Sequence, residues 1–254
     1  MGALTSITIA VTGAASGLGR AFALAYAAEG AAVAVADLDL AGAEAVGDRI
    51  EADGGAALAL RMDVTDRQSV RTGLAEVRDR FGRLDVMVNN AGISASQPLL
   101  EVTGEDWMRQ LRVNGLGTLI GMQEAARIMI EQGGGRIIDV TSVAARRSAP
   151  TFAPYAASKA AVSSLIQSGA RALAPHGITV MGLAPGIVDT GLWDGMDADA
   201  DARARRLAGY AAGILVGRVS TPDDLVGTAV FLASPASAYL TGQVVMADGG
   251  MVLV

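Results

Sequence analysis

Alternation between short apolar stretches and helix-like stretches is the feature that most constrains the fold of this chain. Segments of about five or six residues rich in Val, Ile and Ala recur along it, and longer stretches with helical composition separate most of them. This alternation predicts βαβ units with parallel strands and with helices on both faces of the sheet. The predicted strands are 7–12, 32–36, 57–62, 84–89, 136–141, 178–184 and 244–247. We therefore expect an α/β protein built on a doubly wound parallel sheet.

No linker or change in composition divides the 254 residues, so residues 1–254 are predicted to form a single domain. Residues 189–219 differ from the rest, because strand signals stop there and Ala and charged residues dominate. An insertion of this kind is typical of a mobile helical flap rather than of a second domain. The expected architecture is a single-domain Rossmann-type sheet with a substrate flap at about 189–219.

The composition excludes several kinds of chemistry and partner. The chain has no cysteine, which rules out disulfides, thiolate catalysis and Cys-ligated zinc, and its single histidine argues against a His-ligated metal. The net charge of −6 argues against nucleic acid or an anionic membrane as a partner. The N-terminus lacks the features of a signal peptide, and no run of 18 apolar residues occurs. We expect a cytoplasmic protein without a bound metal.

A glycine-rich turn, T-G-A-A-S-G-L-G at 12–19, joins the first predicted strand to the first helix. Its glycines, Gly13, Gly17 and Gly19, would let a pyrophosphate approach the free N–H groups of the helix N-terminus. Such a turn alone is a weak signal, because glycine marks many sharp connections. Asp37 strengthens it, since a carboxylate at the end of the second strand can accept both ribose hydroxyls of NAD and would repel the 2′-phosphate of NADP. The alternative is that Asp37 caps the following helix.

Polar residues also follow or interrupt later elements. The segment Asn89-Asn90-Ala91-Gly92 ends the fourth strand, where small and amide side chains suit a ligand crevice or, alternatively, a turn. Ser142 follows the fifth strand, where a hydroxyl could face the same crevice or cap a helix. Asn114 lies within a predicted long helix at 105–131, an unfavourable place for Asn, so it is either functional or a satisfied core amide.

Tyr155 and Lys159 lie four residues apart in Y-A-A-S-K, within a stretch predicted to be helical from 153 to 174. Residues four apart share a helix face, so the ammonium would favour ionisation of a phenol whose ordinary pKa is about 10. The alternative is an ordinary surface pair. However, Lys159 is the only lysine, and the other nineteen of the 20 basic residues are arginines. We interpret this as retention of a compact ammonium where Arg could not replace it.

Together these motifs resemble the short-chain dehydrogenases/reductases. The resemblance covers nearly the whole chain and includes T-G-x3-G-x-G at 12–19, D-V at 63–64, N-N-A-G at 89–92, Asn114, Ser142, Y-x3-K at 155–159, P-G-x-V-x-T at 185–190 and D-G-G at 248–250. It implies an enzyme that transfers a hydride between the nicotinamide of NAD and a substrate carbon. It also implies a homotetramer.

The resemblance implies a catalytic tetrad of Asn114, Ser142, Tyr155 and Lys159. In such a tetrad Tyr155 moves the hydroxyl proton, Ser142 binds the substrate oxygen, Lys159 holds the nicotinamide ribose and lowers the tyrosine pKa, and Asn114 holds a water. The implied cofactor-binding residues are Gly13, Ser16, Gly17, Leu18, Gly19, Asp37, Leu38, Asp63, Val64, Asn90, Ala91, Gly92, Tyr155, Lys159, Pro185, Gly186, Ile187 and Thr190.

Within the family, the Y-x3-K spacing looks like that of alcohol dehydrogenases and ketoreductases. The flap sequence, together with residues 19–26 and 158–162, looks most like bacterial NAD-dependent sorbitol and related polyol dehydrogenases. Trp193 and Asp194 could then contact substrate hydroxyls, or could merely cap a helix. Dehydrogenases of the acetoin/2,3-butanediol type are the first alternative, and aryl or alicyclic secondary alcohols are another. A nucleotide-sensing regulator that has lost turnover is the non-enzyme alternative.

Two positions depart from the pattern of the family. Asp139 stands in the fifth strand where many members have Asn, and Met181 stands where most have Asn before A-P-G. Neither belongs to the implied tetrad. We therefore expect altered hydrogen bonding at these two positions rather than loss of activity.

Overall fold

The computed structural model describes residues 2–191 and 199–253. Within these ranges, seven strands form one sheet in the order β3-β2-β1-β4-β5-β6-β7, and every neighbouring pair is parallel. The strands are β1 (Thr8–Thr12), β2 (Ala32–Asp37), β3 (Ala56–Arg61), β4 (Val86–Asn89), β5 (Gly135–Val140), β6 (Ile178–Pro185) and β7 (Val244–Ala247). The predicted α/β class and parallel sheet are confirmed, and the predicted strand boundaries differ from the observed ones by at most two residues.

The described α-helices are α1 (Gly17–Ala28), α2 (Leu40–Ala52), α3 (Arg67–Phe81), α4 (Gly104–Gln110), α5 (Gly117–Gln132), α6 (Ala153–Leu173), α7 (Ala200–Ala211) and α8 (Asp223–Ala233). Helix α8 was not predicted from the sequence. Helix α7 lies in the segment predicted to be a flap. None of the helices in the described ranges has the length and apolar character needed to cross a membrane.

Two apolar layers pack on opposite faces of the sheet. Residues of α1, α2 and α8 form one layer, which includes the fully buried Phe22 and Tyr26. Residues of α3, α5 and α6 form the other, which includes Leu74, Met129 and Ile166. Both faces of each central strand are therefore covered, which explains why these strands read as continuous apolar runs. Burying one large side chain of this kind stabilises the fold by about 1.5–3 kcal/mol.

A π-helical turn interrupts the helix that was predicted at 105–131. Helix α4 ends at Gln110, residues Leu111–Leu116 form the π-turn, and α5 follows. The extra residue in such a turn disturbs the normal helical hydrogen bonds, and π-turns often mark functional positions. Here the Thr118 hydroxyl donates to the carbonyl oxygen of Asn114 at 2.7 Å. The prediction of a single uninterrupted helix was therefore wrong, because the π-turn takes Asn114 out of regular helical register.

The strand order reverses between β1 and β4, which creates a crevice at the carboxyl ends of the strands. β1 pairs with β2 on one side and with β4 on the other, so the chain segments that leave β1 and β4 turn to opposite faces. The glycine-rich turn follows β1, and the N-N-A-G segment spans the end of β4. The topology therefore brings these two predicted motifs together.

Candidate active site

A cleft with a volume of about 380 Å³ opens at the carboxyl edge of the sheet. Its lining runs from the glycine-rich turn past the end of β4 to α6 and the segment after β6. The lining residues are Gly13, Ser16, Gly17, Leu18, Asp37, Leu38, Met62, Val64, Asn90, Ala91, Gly92, Ile93, Val113, Val140, Thr141, Ser142, Tyr155, Lys159, Pro185, Val188, Thr190 and Gly191. Fifteen of these are predicted site residues, so motifs distant in sequence share one cleft.

The glycine-rich turn approaches its neighbours so closely that side chains would not fit. Gly13 has a φ of 66°, and a Cβ there would lie 2.8 Å from the Cα of Ala91. Gly17 has a φ of 54°. A Cβ on Gly19 would lie 2.1 Å from the carbonyl oxygen of Gly13, so Gly19 supports the turn from beneath rather than lining the cleft. These positions therefore require glycine for conformation and for space.

The N-terminus of α1 lacks the side-chain cap that the next helices have. Asp39 caps α2 by accepting from the Gly42 N–H, and Asp66 caps α3 by accepting from the Gln68 N–H. Ser16 occupies the same position before α1 and makes no such bond. The first-turn N–H groups of α1 therefore face the cleft without a side-chain acceptor, which is the arrangement that binds an anion.

Asp37 holds the glycine-rich turn and lies on the cleft wall. One carboxylate oxygen accepts from the Ala15 N–H at 2.9 Å, and the other accepts from the Asp39 N–H at 3.0 Å. Asp39, not Asp37, accepts the capping bond of α2. The alternative interpretation of Asp37 as a helix cap is therefore wrong, and its neighbour Leu38 is exposed beside it.

The floor of the cleft is fixed by Thr12 and Asn90. The Asn90 amide donates to the carbonyl oxygens of Thr12 at 2.9 Å and Gly13 at 3.1 Å. The Thr12 hydroxyl accepts from the N–H groups of Asn90 and Ala91 and donates to the Val88 carbonyl. Thr12 belongs to the predicted glycine-rich motif, but no role was predicted for it. Its position at the end of a buried strand, before the first glycine, was the available signal.

Several predicted cofactor residues lie just behind the cleft wall. One Asp63 carboxylate oxygen accepts from both the N–H and the hydroxyl of Thr65 at 2.8 Å, so Asp63 shapes the turn that presents Val64. The Gly186 N–H donates to the Ala247 carbonyl at 3.0 Å. The Ile187 carbonyl accepts from Ser220, both from its N–H and from its hydroxyl. These three residues thus position cleft-lining neighbours.

Tyr155, Ser142 and Lys159 meet at the opposite end of the cleft. The Lys159 ammonium donates to the Val140 carbonyl at 2.8 Å and lies 5.9 Å from the centre of the Tyr155 ring. Both side chains are buried, which contradicts an ordinary surface pair. The Ser142 hydroxyl accepts from the Ala144 N–H at 3.1 Å, so it also caps the short 3₁₀ helix that follows β5.

Burial governs the ionisation of this group. Burial raises the pKa of Tyr155, and a hydrogen bond with Ser142 opposes that rise. Burial lowers the pKa of Lys159 to about 8, and attraction to Asp139 opposes that fall. The lowered tyrosine pKa expected from the sequence is therefore not produced by these residues alone, because desolvation of the phenolate outweighs the stabilisation that they supply.

Asn114 connects three parts of the site through its side chain. Its amide oxygen accepts from the Ile93 N–H at 2.8 Å, and its amide nitrogen donates to the Ile93 carbonyl and to the Ser158 hydroxyl, both at 2.9 Å. Ser158, which had no predicted role, donates in turn to the Tyr155 carbonyl at 2.6 Å. Asn114 is thus a fully bonded core amide, 0% exposed, placed directly behind Tyr155 and Lys159.

Seven lining residues were not predicted, namely Met62, Ile93, Val113, Val140, Thr141, Val188 and Gly191. Five of them are apolar, and no local pattern separates such residues from core residues. Trp193 and Asp194, the proposed substrate contacts of the flap, lie outside the described residues. Met181 is buried in the apolar layer beside α1, and Asp139 is buried beside Asn89.

Comparison with known proteins agrees with this geometry. A family model described as enoyl-(acyl carrier protein) reductase matches residues 13–252. The chain is 44% identical to sorbitol dehydrogenase of Cereibacter sphaeroides, covering 96% of each chain. It is 42% identical to L-2,3-butanediol dehydrogenase of Corynebacterium glutamicum, covering 95% of this chain and 96% of the relative.

Solved structures show the same similarity. A short-chain type dehydrogenase/reductase from Mycobacterium marinum superposes with a TM-score of 0.93 at 37% identity, covering 99% of this chain and 97% of that one. A protein from Beutenbergia cavernae, assigned as an NAD(P)-dependent gluconate 5-dehydrogenase and crystallised with NADP at low occupancy, has a TM-score of 0.90 at 40% identity and coverage of 98% and 97%. The chain belongs to the short-chain dehydrogenase/reductase family, and it is an oxidoreductase of that family.

Proposed function

We propose that this protein is an NAD-dependent alcohol dehydrogenase that transfers a hydride between the nicotinamide and a secondary alcohol or ketone. The observation that supports the proposal best is the convergence of Ser142, Tyr155 and Lys159 at one end of a cleft whose other end holds the glycine-rich turn and Asp37. A dinucleotide that spans the cleft would place its two ends against these two groups. A regulator without turnover would not need all four positions of the tetrad.

The residues present fit a dinucleotide along the whole cleft. The uncapped N-terminus of α1 and the glycines before it suit the pyrophosphate, and Asp37 suits the adenosine ribose. Val64, which the turn shaped by Asp63 presents to the cleft, would flank the adenine. Lys159 would hold the nicotinamide ribose, and the segment from Pro185 to Thr190 would meet the carboxamide. When bound, the nicotinamide supplies the hydride acceptor or donor.

The chain's own residues would bind the substrate oxygen and move its proton. In the oxidation direction the Tyr155 phenolate accepts the hydroxyl proton, and the Ser142 hydroxyl donates a hydrogen bond to the substrate oxygen. Positive charge beside the phenol must offset the effect of burial, and the Lys159 ammonium is the resident cation. Asn114 fixes Ile93 and Ser158 behind this group with its side-chain amide. The water that the family resemblance assigns to Asn114 would therefore bind its main chain and complete the proton path.

A polyol such as sorbitol or galactitol is the proposed substrate class. The 44% identity to a sorbitol dehydrogenase supports it, and the Y-x3-K spacing supports an alcohol substrate rather than an enoyl thioester. The 42% identity to a 2,3-butanediol dehydrogenase supports a short vicinal diol as the second candidate. Measuring NADH formation with sorbitol, galactitol, xylitol, 2,3-butanediol and 1-phenylethanol separates these candidates, and no turnover with any alcohol would favour the regulator.

Tyr155→Phe tests the catalytic assignment directly. Removing the hydroxyl removes the proton acceptor, so we expect kcat to fall by about 10³-fold or more while NAD binding stays near normal. Tyr239→Phe is the matched control, because Tyr239 is fully exposed and does not line the cleft. Retention of more than about one hundredth of kcat in the Tyr155 variant would contradict the mechanism.

Asp37→Ala tests the cofactor assignment. Without the carboxylate the repulsion of a 2′-phosphate disappears, so the ratio of kcat/KM for NAD over NADP should fall by about 10-fold or more. Asp39→Ala is the control, since it removes a carboxylate two residues away that only caps α2. An unchanged ratio in the Asp37 variant would mean that this carboxylate serves only to hold the Ala15 N–H.

We also expect a homotetramer, and a stable monomer in analytical ultracentrifugation would contradict that expectation.

A further inference from the structure

Asp139 is a buried acid that the proposed mechanism does not use. It lies in β5, is 0% exposed, and is flanked in the sheet register by Asn89 of β4 and Gly182 of β6. One carboxylate oxygen accepts from the Asn89 amide at 2.8 Å. The other is buried without a hydrogen-bond partner among the described residues. Leaving such an oxygen unpaired in the core is costly unless a charge nearby compensates for it.

The compensating charge is on α6, on the same side of the sheet. Side chains alternate along β5, so Asp139 points into the layer formed with α5 and α6, as its neighbour Ile137 does. The next residue, Val140, supplies the carbonyl that accepts the Lys159 ammonium at 2.8 Å. A Cβ on Gly121 of α5 would lie 2.0 Å from the Asn89 amide oxygen, so the missing side chain makes room for the Asn89–Asp139 pair.

Among the ionisable groups on the elements packed around Asp139, Lys159 is the cation that can compensate for its charge. Helix α6 contributes Tyr155 and Lys159, and α5 contributes Glu124, which is bound by arginines of α3. In the paired strands, the partners of Asp139 are Asn89 and Gly182, which do not ionise. Lys159 makes no direct ion pair within the described part of the chain. The attraction between the Lys159 ammonium and the Asp139 carboxylate therefore acts over a longer distance than a salt bridge does, because the buried surroundings have a low dielectric constant.

We propose that the Asp139 carboxylate is the buried counter-charge that keeps Lys159 protonated beside Tyr155. Asp139 is thus a positioning residue that acts through Lys159 and does not itself touch the substrate. This proposal rests on the proposed function in one respect, namely that the charge of Lys159 matters for catalysis. The mutual effects on ionisation agree with it, since attraction to Lys159 lowers the pKa of Asp139 and attraction to Asp139 raises that of Lys159, each against a larger effect of burial.

The single lysine allows a direct test without turnover. Protein labelled with ¹³C at the lysine Cε, and carrying no lysine in any tag, gives one side-chain signal whose chemical shift reports the charge of Lys159. We expect the pKa of Lys159 to be about one unit or more lower in Asp139→Asn than in the wild type. Glu124→Gln is the control, because it neutralises a buried carboxylate that is paired with arginines, and it should leave the Lys159 titration unchanged.

The outcomes separate a counter-charge from a purely structural acid. If Asp139 only accepts a hydrogen bond from Asn89, the Asn variant keeps the lysine titration of the wild type, and the proposal is overturned. Should the Asn variant not fold, Asp139→Ser takes its place, because it also removes the charge, and an unchanged Lys159 pKa in that variant would overturn the proposal. If the proposed function also holds, the alkaline limb of kcat shifts to lower pH by the same amount in the Asn variant. If the Tyr155→Phe result contradicts the proposed function, the titration of Lys159 still tests the role of Asp139, because it does not depend on turnover.

Discussion

Glu124 and Asp139 are two buried acids on the same side of the sheet, and their pKa values are shifted in opposite directions. Although burial raises the pKa of Glu124, hydrogen bonds from Arg71 and Arg67 outweigh this effect, and the pKa is lowered. Burial raises the pKa of Asp139 to about 7, because the Asn89 amide and the attraction to Lys159 compensate only in part. Arginine donors thus make Glu124 a structural anion, whereas Asp139, which is more deeply enclosed and has fewer donors, titrates near neutral pH.

Glu124 and Asp139 also differ in where they lie in the fold. Glu124 bridges α5 to α3, and its arginine partners are partly exposed, so the cluster holds two helices together at the protein surface. Asp139 lies next to the residue whose carbonyl binds Lys159, within the layer that supports the cleft. One amide donor binds Asp139, whereas several arginine donors fix the charge of Glu124.

The largest expected effect is on the pH dependence of stability in Asp139→Asn. An acid whose folded pKa is raised stabilises the fold below its unfolded pKa, near 4, and that contribution is lost as the pH rises towards 7. Between pH 4 and 7 the variant should therefore gain about 2–4 kcal/mol relative to the wild type, which urea denaturation at several pH values can measure. A constant difference across this range would show that Asp139 is ionised throughout and would remove the contrast with Glu124.

Glu124→Gln should change stability in the opposite sense. At neutral pH we expect a loss of about 1–3 kcal/mol, because the charge-assisted bonds from Arg67 and Arg71 weaken while the site stays buried. A lowered pKa contributes stability above the unfolded value of about 4.3, and this is lost as the pH falls through the folded value. The difference between the variant and the wild type should thus shrink below pH 4. Exposed Glu131→Gln serves as the control and should cost less than about 0.5 kcal/mol, since surface ion pairs contribute little.

The smallest expected effect is at Tyr26. This residue extends the comparison of the two acids to a buried polar group that carries no charge. Its ring is fully buried in the opposite layer, and its hydroxyl has no hydrogen-bond partner among the described residues. Tyr26→Phe should therefore leave the melting temperature unchanged or raise it by an amount equivalent to less than about 1 kcal/mol. A clear loss of stability in thermal denaturation would mean that the hydroxyl is satisfied after all.

Local features were predictable because neighbouring residues encode them. The alternation of strands and helices, the glycine-rich turn and the Tyr155–Lys159 pair all depend on spacings of a few residues, and the structure places each where that spacing predicts. The prediction was wrong for the helix at 105–131, because a π-turn arises from packing rather than from composition. It also missed α8, whose apolar residues face α1 and the sheet.

The sequence by itself determined the class of fold, the cleft at the switch point and the residues most directly involved in the proposed chemistry, because periodicity and turn composition act over short distances. Only the tertiary structure decided which buried polar groups would be partners. Asn89 meets Asp139 across 50 residues of sequence, and Asn114 meets Ser158 across 44. Such pairs depend on the register of parallel strands and on how helices lie against them, and their ionisation depends on how much water that packing excludes.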